Sequence, residues 1–444
     1  MGLWLQTPLL KLWRNGWFKV LPPEHLSSPL PATFQQRLAV QQGDWLIHQV
    51  HVIPMDQDTI WPRRSVLIRK GIIHGIFPAD QLPDSVERYP KIEGKDRFLI
   101  PGLSDVHTHL NDDNNLLLLL AYGVTLARNM SGFPFHLEWK RQLESGQILG
   151  PQLLTTTPIL EGPSQIWRNS TGSIRFTRQE QIESTLDSLL KLEHDAVKVY
   201  HTLAKPFYEE ICQVAASKGL PIVGHIPLEL NLDQFIHSPQ NSFEHLSIRE
   251  MELISPKLPL TEAFARLAQA GKWLCPTLIV YRHMFEGSLD SVQRAYYFGF
   301  IDAKTRRFWR ARQKAGPNDY EDRMALFQAF AAHSDRILSG SDCLNAFVVP
   351  GISLHEELGE MVKAGLSPYQ ALRSSTWQVA HYLQKQGELG SISVGKKAQL
   401  VLLEANPLED IAHTQGIVGI MMDGKWIDEA FRQEIIDAVR THHP

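Results

Sequence analysis

His107 and His109 are separated by a single residue in the run Phe98-Leu-Ile-Pro-Gly-Leu-Ser-Asp-Val-His-Thr-His-Leu110. Imidazole is a common ligand for zinc and similar ions. The run is apolar, β-branched or small, with Pro-Gly punctuation, so it reads as a buried strand entered through a tight turn. Residues two apart in a strand point to the same side, so both rings leave one face, close enough to share a metal ion. For an isolated His-x-His, two satisfied histidines at a strand end would be the preferred explanation; the rest of the chain overturns it here. Further along, suitable groups recur in strand-like runs: Lys198 within Asp195-Ala-Val-Lys-Val-Tyr200, His225 closing Ile222-Val-Gly-His, His245 closing Ser242-Phe-Glu-His, and Asp342 closing Ile337-Leu-Ser-Gly-Ser-Asp. Lys198 lies between valines, and a buried ammonium is costly unless it finds a partner or shifts its pKa.

Positioning these groups requires a repeating frame. From about Asp44 to Ile100 short strand-like runs alternate with turns, a helix-free β-meander. From Pro101 to about Leu383 strand-like and helix-like segments take turns. Roughly 280 residues of such text suit a (β/α)8 barrel, typically about 250 residues, whose functional groups gather at the C-terminal ends of the strands. After Gly387 the text returns to β. The expected fold is therefore α/β: a TIM barrel over 101–386 with a small β-sandwich built from both chain ends, 44–100 and 387–430. Residues 1–43 read as an N-terminal extension and 431–444 as a C-terminal tail. Asp290–Asp322, rich in Arg and aromatics, reads as a long helical excursion near the barrel mouth.

The chain resembles the amidohydrolase superfamily, and within it the imidazolonepropionase-related, prolidase-like branch. The resemblance rests on Pro-Gly-Leu-x-Asp-x-His-x-His at 101–109, Lys-Val-Tyr at 198–200, Gly-His-Ile-Pro at 224–227, Glu-His-Leu at 244–246, Gly-Ser-Asp at 340–342, Gly-x-x-x-x-Gly-Lys-x-Ala at 390–398, and Asn406-Pro407-Leu408. It spans roughly residues 45–425. It implies that His107, His109 and Asp342 hold one metal, that His225 and His245 hold a second, and that a carboxylated Lys198 bridges them. The carbamate, made from CO2, would turn an awkward buried cation into an anionic ligand. The implied reaction is hydrolysis of an amide, dipeptide or N-acyl amino acid by a metal-bound hydroxide, with Asp342 as general acid and base. Zinc is the expected metal, with manganese, cobalt or iron also compatible with such ligands. If Lys198 is an ordinary strand lysine, His107, His109, His225 and Asp342 would make a one-metal site instead.

Four further residues are candidates for substrate contact. Tyr200 and His201 follow Lys198, and Tyr281 and Arg282 follow Trp273–Val280, read as a seventh strand. A tyrosine or arginine there could hold an oxyanion or a substrate carboxylate. Arg249 is a weaker candidate, His355 is read as structural at a helix start, and Cys343 as core. The chain departs from the resembled pattern at Arg128-Asn-Met, where Arg-Asp-Met is commoner, at Ser341 in place of Thr, and at Gln399 in place of Asp.

Bulk properties narrow the classes. A net charge of -4 offers no basic footprint for nucleic acid. The three cysteines, Cys212, Cys275 and Cys343, are scattered, so no disulfide framework or Cys-type zinc site follows, and a reducing, cytoplasmic setting is expected. Residues 1–21 interleave Trp4, Trp13, Trp17 and Phe18 with Lys11, Arg14 and Lys19. They lack the order of a secretion signal, and packing on the protein body is preferred over a membrane anchor. A small-molecule substrate is expected, and a homo-oligomer is left open. Competing readings are a mononuclear cyclic amidohydrolase or deaminase and a catalytically silent barrel used for binding; the latter fares worst because every ligand position is filled.

Overall fold

The computed structural model describes residues 43–163, 173–284, 289–312 and 319–442. The N-terminal extension, read above as packing on the protein body or as an anchor, lies outside the described residues save for its last position. Four strands open the described chain: β1 Trp45–Val52, β2 Trp61–Arg69, β3 Ile72–Pro78 and β4 Lys91–Pro101. The central stretch carries β5 Leu103–Thr108, β6 Val124–Asn129, β7 Gln152–Thr155, β8 Ile159–Glu161, β9 Ser173–Arg175, β10 Val197–Val199, β11 Ile222–Gly224, β12 Ser242–Glu244 and β13 Trp273–Cys275. It closes with β14 Leu400–Leu403, β15 Ile417–Met422 and β16 Lys425–Asp428.

Both chain ends build one seven-stranded sheet, in the order β16-β15-β14-β4-β1-β2-β3. At the level of strand pairing it is one sheet and not two facing ones. It carries its own apolar core of residues such as Ile47, Val66, Leu99, Leu400 and Met421. The expected helix-free meander is modified twice: β1 pairs with β4 in parallel, and a short helix, Asp84–Glu87, stands between β3 and β4. β4 runs almost directly into β5, and Gly102 N donates to Gln399 O (2.7 Å), so the composite sheet is tied to the strand bearing His107.

The central stretch is a TIM-barrel-like α/β arrangement. All six residues of β5 and of β6 are buried, as in parallel strands covered on both faces. The parallel strands fall in three sheets, β5-β6-β7, β9-β8-β10-β11 and β12-β13, and not in one closed sheet. Single bridges join them: Thr156–Ala196, Leu274–Ile337 and Thr108–Cys343. Between β11 and β12 the Gln240 side chain takes over, with Nε2 donating to Gly224 O (3.1 Å) and Ser242 O (3.0 Å). Strands of three residues leave little backbone for a continuous ladder, and the buried polar groups are satisfied by side chains instead.

Helices alternate with these strands and pack on them through an extended apolar core. After the His pair, Asp112 caps Asp113–Ala121, accepting from Asn114 N (2.8 Å). Among its described residues, the Asp290–Asp322 excursion contains two helices, Ser291–Phe298 and Ala303–Arg312, and the start of a third, Tyr320–Ala331. Residues 431–442, read as part of a tail, lie in a helix, Glu429–His442. The cysteines are free and buried. Among the described residues no helix is long and apolar enough to cross a membrane.

Candidate active site

Strand ends bring the expected groups together. His107 lies in β5 and His109 just beyond it, with ring centroids 5.4 Å apart. Asp342 Oδ1 is 3.1 Å from His109 Nε2 and 3.5 Å from His107 Nε2, and Oδ2 is 3.9 Å from His245 Nδ1. The His245 ring is 4.8 Å from those of both His107 and His225. Lys198 sits mid-strand in β10, 1% exposed, and its charge acts on His107, His225 and His245 alike. Two glycines permit this convergence. A Cβ on Gly224 would meet Val199 O at 2.1 Å and the Lys198 stem at 3.1 Å, and one on Gly340 would meet His107 Cβ at 2.6 Å.

Three non-glycine residues here adopt left-handed backbone: His245 (φ 73°), Thr277 (φ 50°) and Asp342 (φ 54°). Such conformations cost energy and persist only where the surroundings impose them. Thr277 Oγ1 lies 2.7 Å from His245 Nδ1, which orients that ring. Asp105 locks β5 to the last barrel segment: its carboxylate accepts from Ser341 Oγ (2.6 Å) and Ser341 N (3.0 Å).

Below the histidines lies a buried ion chain. Glu244 Oε2 is 2.8 Å from His107 Nδ1, and its Oε1 accepts from Arg128 Nη2 (3.0 Å). Arg128 Nε donates to Val106 O (2.7 Å), and the guanidinium lies over Tyr382. With Nδ1 hydrogen-bonded to a carboxylate, His107 presents Nε2 to the site, the arrangement that commonly orients metal-binding histidines. Arg128 thus acts on His107 through Glu244 without touching it.

Burial dominates the electrostatics. It lowers His107 well below its ordinary value, against the pull of Asp342, and pushes His245 down to about 3. Both rings are therefore neutral at pH 7, the form that binds metals. Burial also lowers the Lys198 ammonium to about 8, opposed by Glu244 and Asp342. For Asp342, burial pushes upward but His107, His109 and His245 outweigh it, holding the carboxyl below the usual range. His107 Nε2 and Asp342 Oδ1 are buried without a hydrogen-bond partner. Orphaned polar atoms facing each other fit a cation, which would satisfy both.

The substrate candidates divide. Tyr200 packs near the site, its ring tilted against those of His201 (4.3 Å) and His225 (4.4 Å). His201 Nδ1 and His225 Nδ1 both approach Glu250 Oε1, at 3.1 and 3.2 Å. The seventh strand is shorter than expected: β13 ends at Cys275, and Leu278–His283 is helical. Pro276 and left-handed Thr277 break the extended run. Tyr281 is buried at the site under Arg323, whose guanidinium lies 3.7 Å from its ring centroid. Arg323 is held in turn by Asp319 and Leu246 O. Arg282 turns instead to Glu360 (2.5 Å), which also binds Tyr320 and Lys363. Arg249 is exposed, Cys343 is core, and His355 is a structural link between Thr414 and Tyr122 O.

Sequence reading missed Glu244, Glu250, Arg323 and the role of Arg128. Glu244 and Glu250 each stand within five residues of His245, but a carboxylate near a motif carries no spacing that distinguishes a partner from a surface charge.

A family model for the amidohydrolase family matches residues 98–427. Among solved structures, a bottromycin amidohydrolase is similar at TM-score 0.78 and 24% identity, covering 97% of this chain and 96% of that one. A putative prolidase from Bifidobacterium longum is similar at TM-score 0.67 and 22% identity, covering 89% and 99%. A Xaa-Pro dipeptidase with methionine in its active site is similar at TM-score 0.67 and 16% identity, covering 87% and 100%. No curated protein matches the chain.

Proposed function

The chain belongs to the amidohydrolase family and is a hydrolase of carbon–nitrogen bonds, and from that premise we propose a divalent-metal enzyme acting on a dipeptide, N-acyl amino acid or related small amide. The observation that carries the reading is the meeting of His107, His109, His245 and Asp342, with two buried ligand atoms left unpaired. Residues 101–386 would form the catalytic unit, flanked by the β-unit of 44–100 and 387–430.

His107, His109, His225, His245 and Asp342 would hold the cations, with Lys198 between them. When bound, they supply Lewis acidity and lower the pKa of water. The low pKa of Asp342 keeps it ionised at pH 7, ready to take a proton from the attacking water and deliver it to the leaving amine nitrogen. Burial of Lys198 enlarges the share of free amine, the form that combines with CO2 to give a carbamate and a proton. Glu244 is committed to Arg128 and His107, so a carbamate on Lys198 would add the negative charge that two cations need. Tyr281, positioned by Arg323, is the better placed of the candidate pair to meet substrate, because Arg282 is engaged by Glu360.

Elemental analysis of protein purified with bicarbonate and zinc tests the reading, alongside Lys198→Ala. Two metals per chain, falling to one or none in the variant, are expected, with cleavage of dipeptides or N-acyl amino acids by the wild type. One metal, indifferent to the variant, would make Lys198 structural and redirect the search to ring opening and deamination. Protein that binds no metal would end the proposal.

A further inference from the structure

We propose that Asn129 and His136, two wholly buried residues outside the metal-ligand group, are positioning residues for His109. The proposal rests on the metal-dependent reading above and names what holds the most exposed of its ligands in place.

Each of the other histidines has a partner behind its ring: Glu244 at His107 Nδ1, Glu250 at His225 Nδ1 and Thr277 at His245 Nδ1. The His109 side chain is 33% exposed, lies just past the end of β5, and makes its ion-pair contact with Asp342 through Nε2, the atom that would face a cation. Among the described residues no hydrogen bond orients this ring from behind. Its place is set by the backbone.

That backbone is gripped one residue on. Leu110 N donates to Asn129 Oδ1 (3.0 Å), and Leu110 O accepts from His136 Nε2 (2.7 Å), so two buried side chains hold both polar backbone atoms of residue 110. The tautomer is forced. Phe133 N can only donate, and it donates to His136 Nδ1 (3.0 Å); Leu110 O can only accept, so the ring proton sits on Nε2. Asn129 acts as acceptor and donor at once, its Nδ2 reaching Ser131 O (2.8 Å), His136 Nδ1 (3.3 Å) and Thr155 Oγ1 (3.3 Å). Ser131 O and His136 Nδ1 are both acceptors, and an ionised carboxylate could serve neither. This accounts for Asn at a position where the resembled pattern more commonly has Asp.

Helix capping would be the plain alternative, since the Phe133–His136 bond lies at the start of the helix Pro134–Glu144. It leaves the second ring nitrogen unexplained: Nε2 reaches across 26 residues to the loop that carries His109, and Asn129 reaches the same residue from the end of β6. A fully satisfied buried network of this kind holds one geometry. On the other flank, Met130 N donates to Thr108 O (2.8 Å) and Thr108 Oγ1 to Arg128 O (3.1 Å), so His109 is spanned by two fixed residues.

Titrating the metal-free full chain with Co2+ in bicarbonate buffer gives the affinity of each equivalent by chelator competition and its coordination by visible absorption. Wild type should take two, and His109→Ala identifies the one that depends on His109. Asn129→Asp removes the amide donors at nearly constant shape. His136→Phe keeps a ring among Phe133, Phe135 and Trp139 but removes both nitrogens. Each should weaken the His109-dependent equivalent about 10–100-fold, the usual cost of losing an outer partner of a metal ligand, and alter its absorption. The other equivalent should keep wild-type affinity, which also shows that the variants fold. A role confined to stability would instead lower the Tm and leave both equivalents as in wild type, and that result would overturn the proposal while the hydrolase reading stands. Equal weakening of both equivalents would overturn it too, because the pair would then act on the whole site and not on His109. A wild-type chain that binds no Co2+ would overturn the metal-dependent reading as well.

Discussion

Glu244 is wholly buried between a guanidinium and an imidazole, and its charge serves both. Replacing it with Gln leaves Arg128 without an ionic partner and weakens the hold on the His107 tautomer. Perturbing such an outer carboxylate typically costs about 10–100-fold in metal affinity or activity, and an unpaired buried charge about 3–5 kcal/mol. Glu244→Gln should therefore lower both metal affinity and the urea midpoint of the apo-protein. A variant that matches wild type in chelator competition would remove Glu244 from the site. The metal-ligand candidates were legible because strand alternation aims residues two apart at one side. Glu244 was not, because alternation sends neighbours 244 and 245 to opposite faces. The left-handed backbone at His245 breaks that alternation and lets both side chains reach His107.

At the scale of elements, alternation of strand and helix text was enough to give the TIM-barrel-like arrangement and the return of the C-terminal strands to the N-terminal sheet. Local breaks were harder to see. Apolar text from Trp273 to Val280 reads as one strand, but it turns at Pro276 and Thr277 into a helix, carrying Arg282 away to Glu360. The last barrel segment is held mainly by single contacts: Val106 N to Ser339 O (3.1 Å), Asp342 N to His107 O (2.7 Å), and the Asp105–Ser341 bonds. Such thin pairing works because Gly340 lets it lie flush on β5. A methyl group at Gly340 would come within 2.5 Å of Cys275 Sγ and 2.6 Å of His107 Cβ. Gly340→Ala should destabilise the protein by about 1–3 kcal/mol, as overpacking of a tight core does, and shift Asp342 relative to His107. Thermal unfolding together with Co2+ affinity checks this, and a variant unchanged in both would show that the segment yields at no cost.

The whole molecule buries many ionisable groups besides the site, and their pKa shifts oppose one another across the pH scale. Burial lowers His136 and His283 to about 3, His355 to about 4, and His194 to a lesser extent, from an ordinary value of 6.5. Unfolding lets these rings take up protons below 6.5, so their contribution to stability is present above that pH and is lost as pH falls. Burial raises Glu357 to about 8 from 4.5, even though its carboxylate accepts from Leu278 N (3.0 Å) and Ile279 N (2.8 Å), and it raises Asp105 to about 7. Both therefore hold their protons in the folded state at pH values where the unfolded chain has released them. Their contribution is complete below the ordinary carboxylate range and disappears as pH rises through 7 to 8. Burial likewise raises Asp113 to about 7 and lifts Glu356, while in the metal-free protein the lowered His107, His225 and His245 join the other four rings. Between 4.5 and 6.5 these seven histidines outnumber the four acids, so stability climbs with pH; just above 6.5 the acids dominate and it declines, until Lys198 and Lys272, lowered by burial to about 8, begin to oppose them. The metal-free protein should show its highest Tm between about pH 6 and 7, each net proton changing stability by about 1.4 kcal/mol per pH unit. Glu357→Gln should flatten the alkaline limb and leave the acid limb as it is. An alkaline decline equally steep in that variant would mean that Glu357 is already ionised in the folded protein, its carboxylate stabilised by the two backbone donors of the helix Leu278–His283.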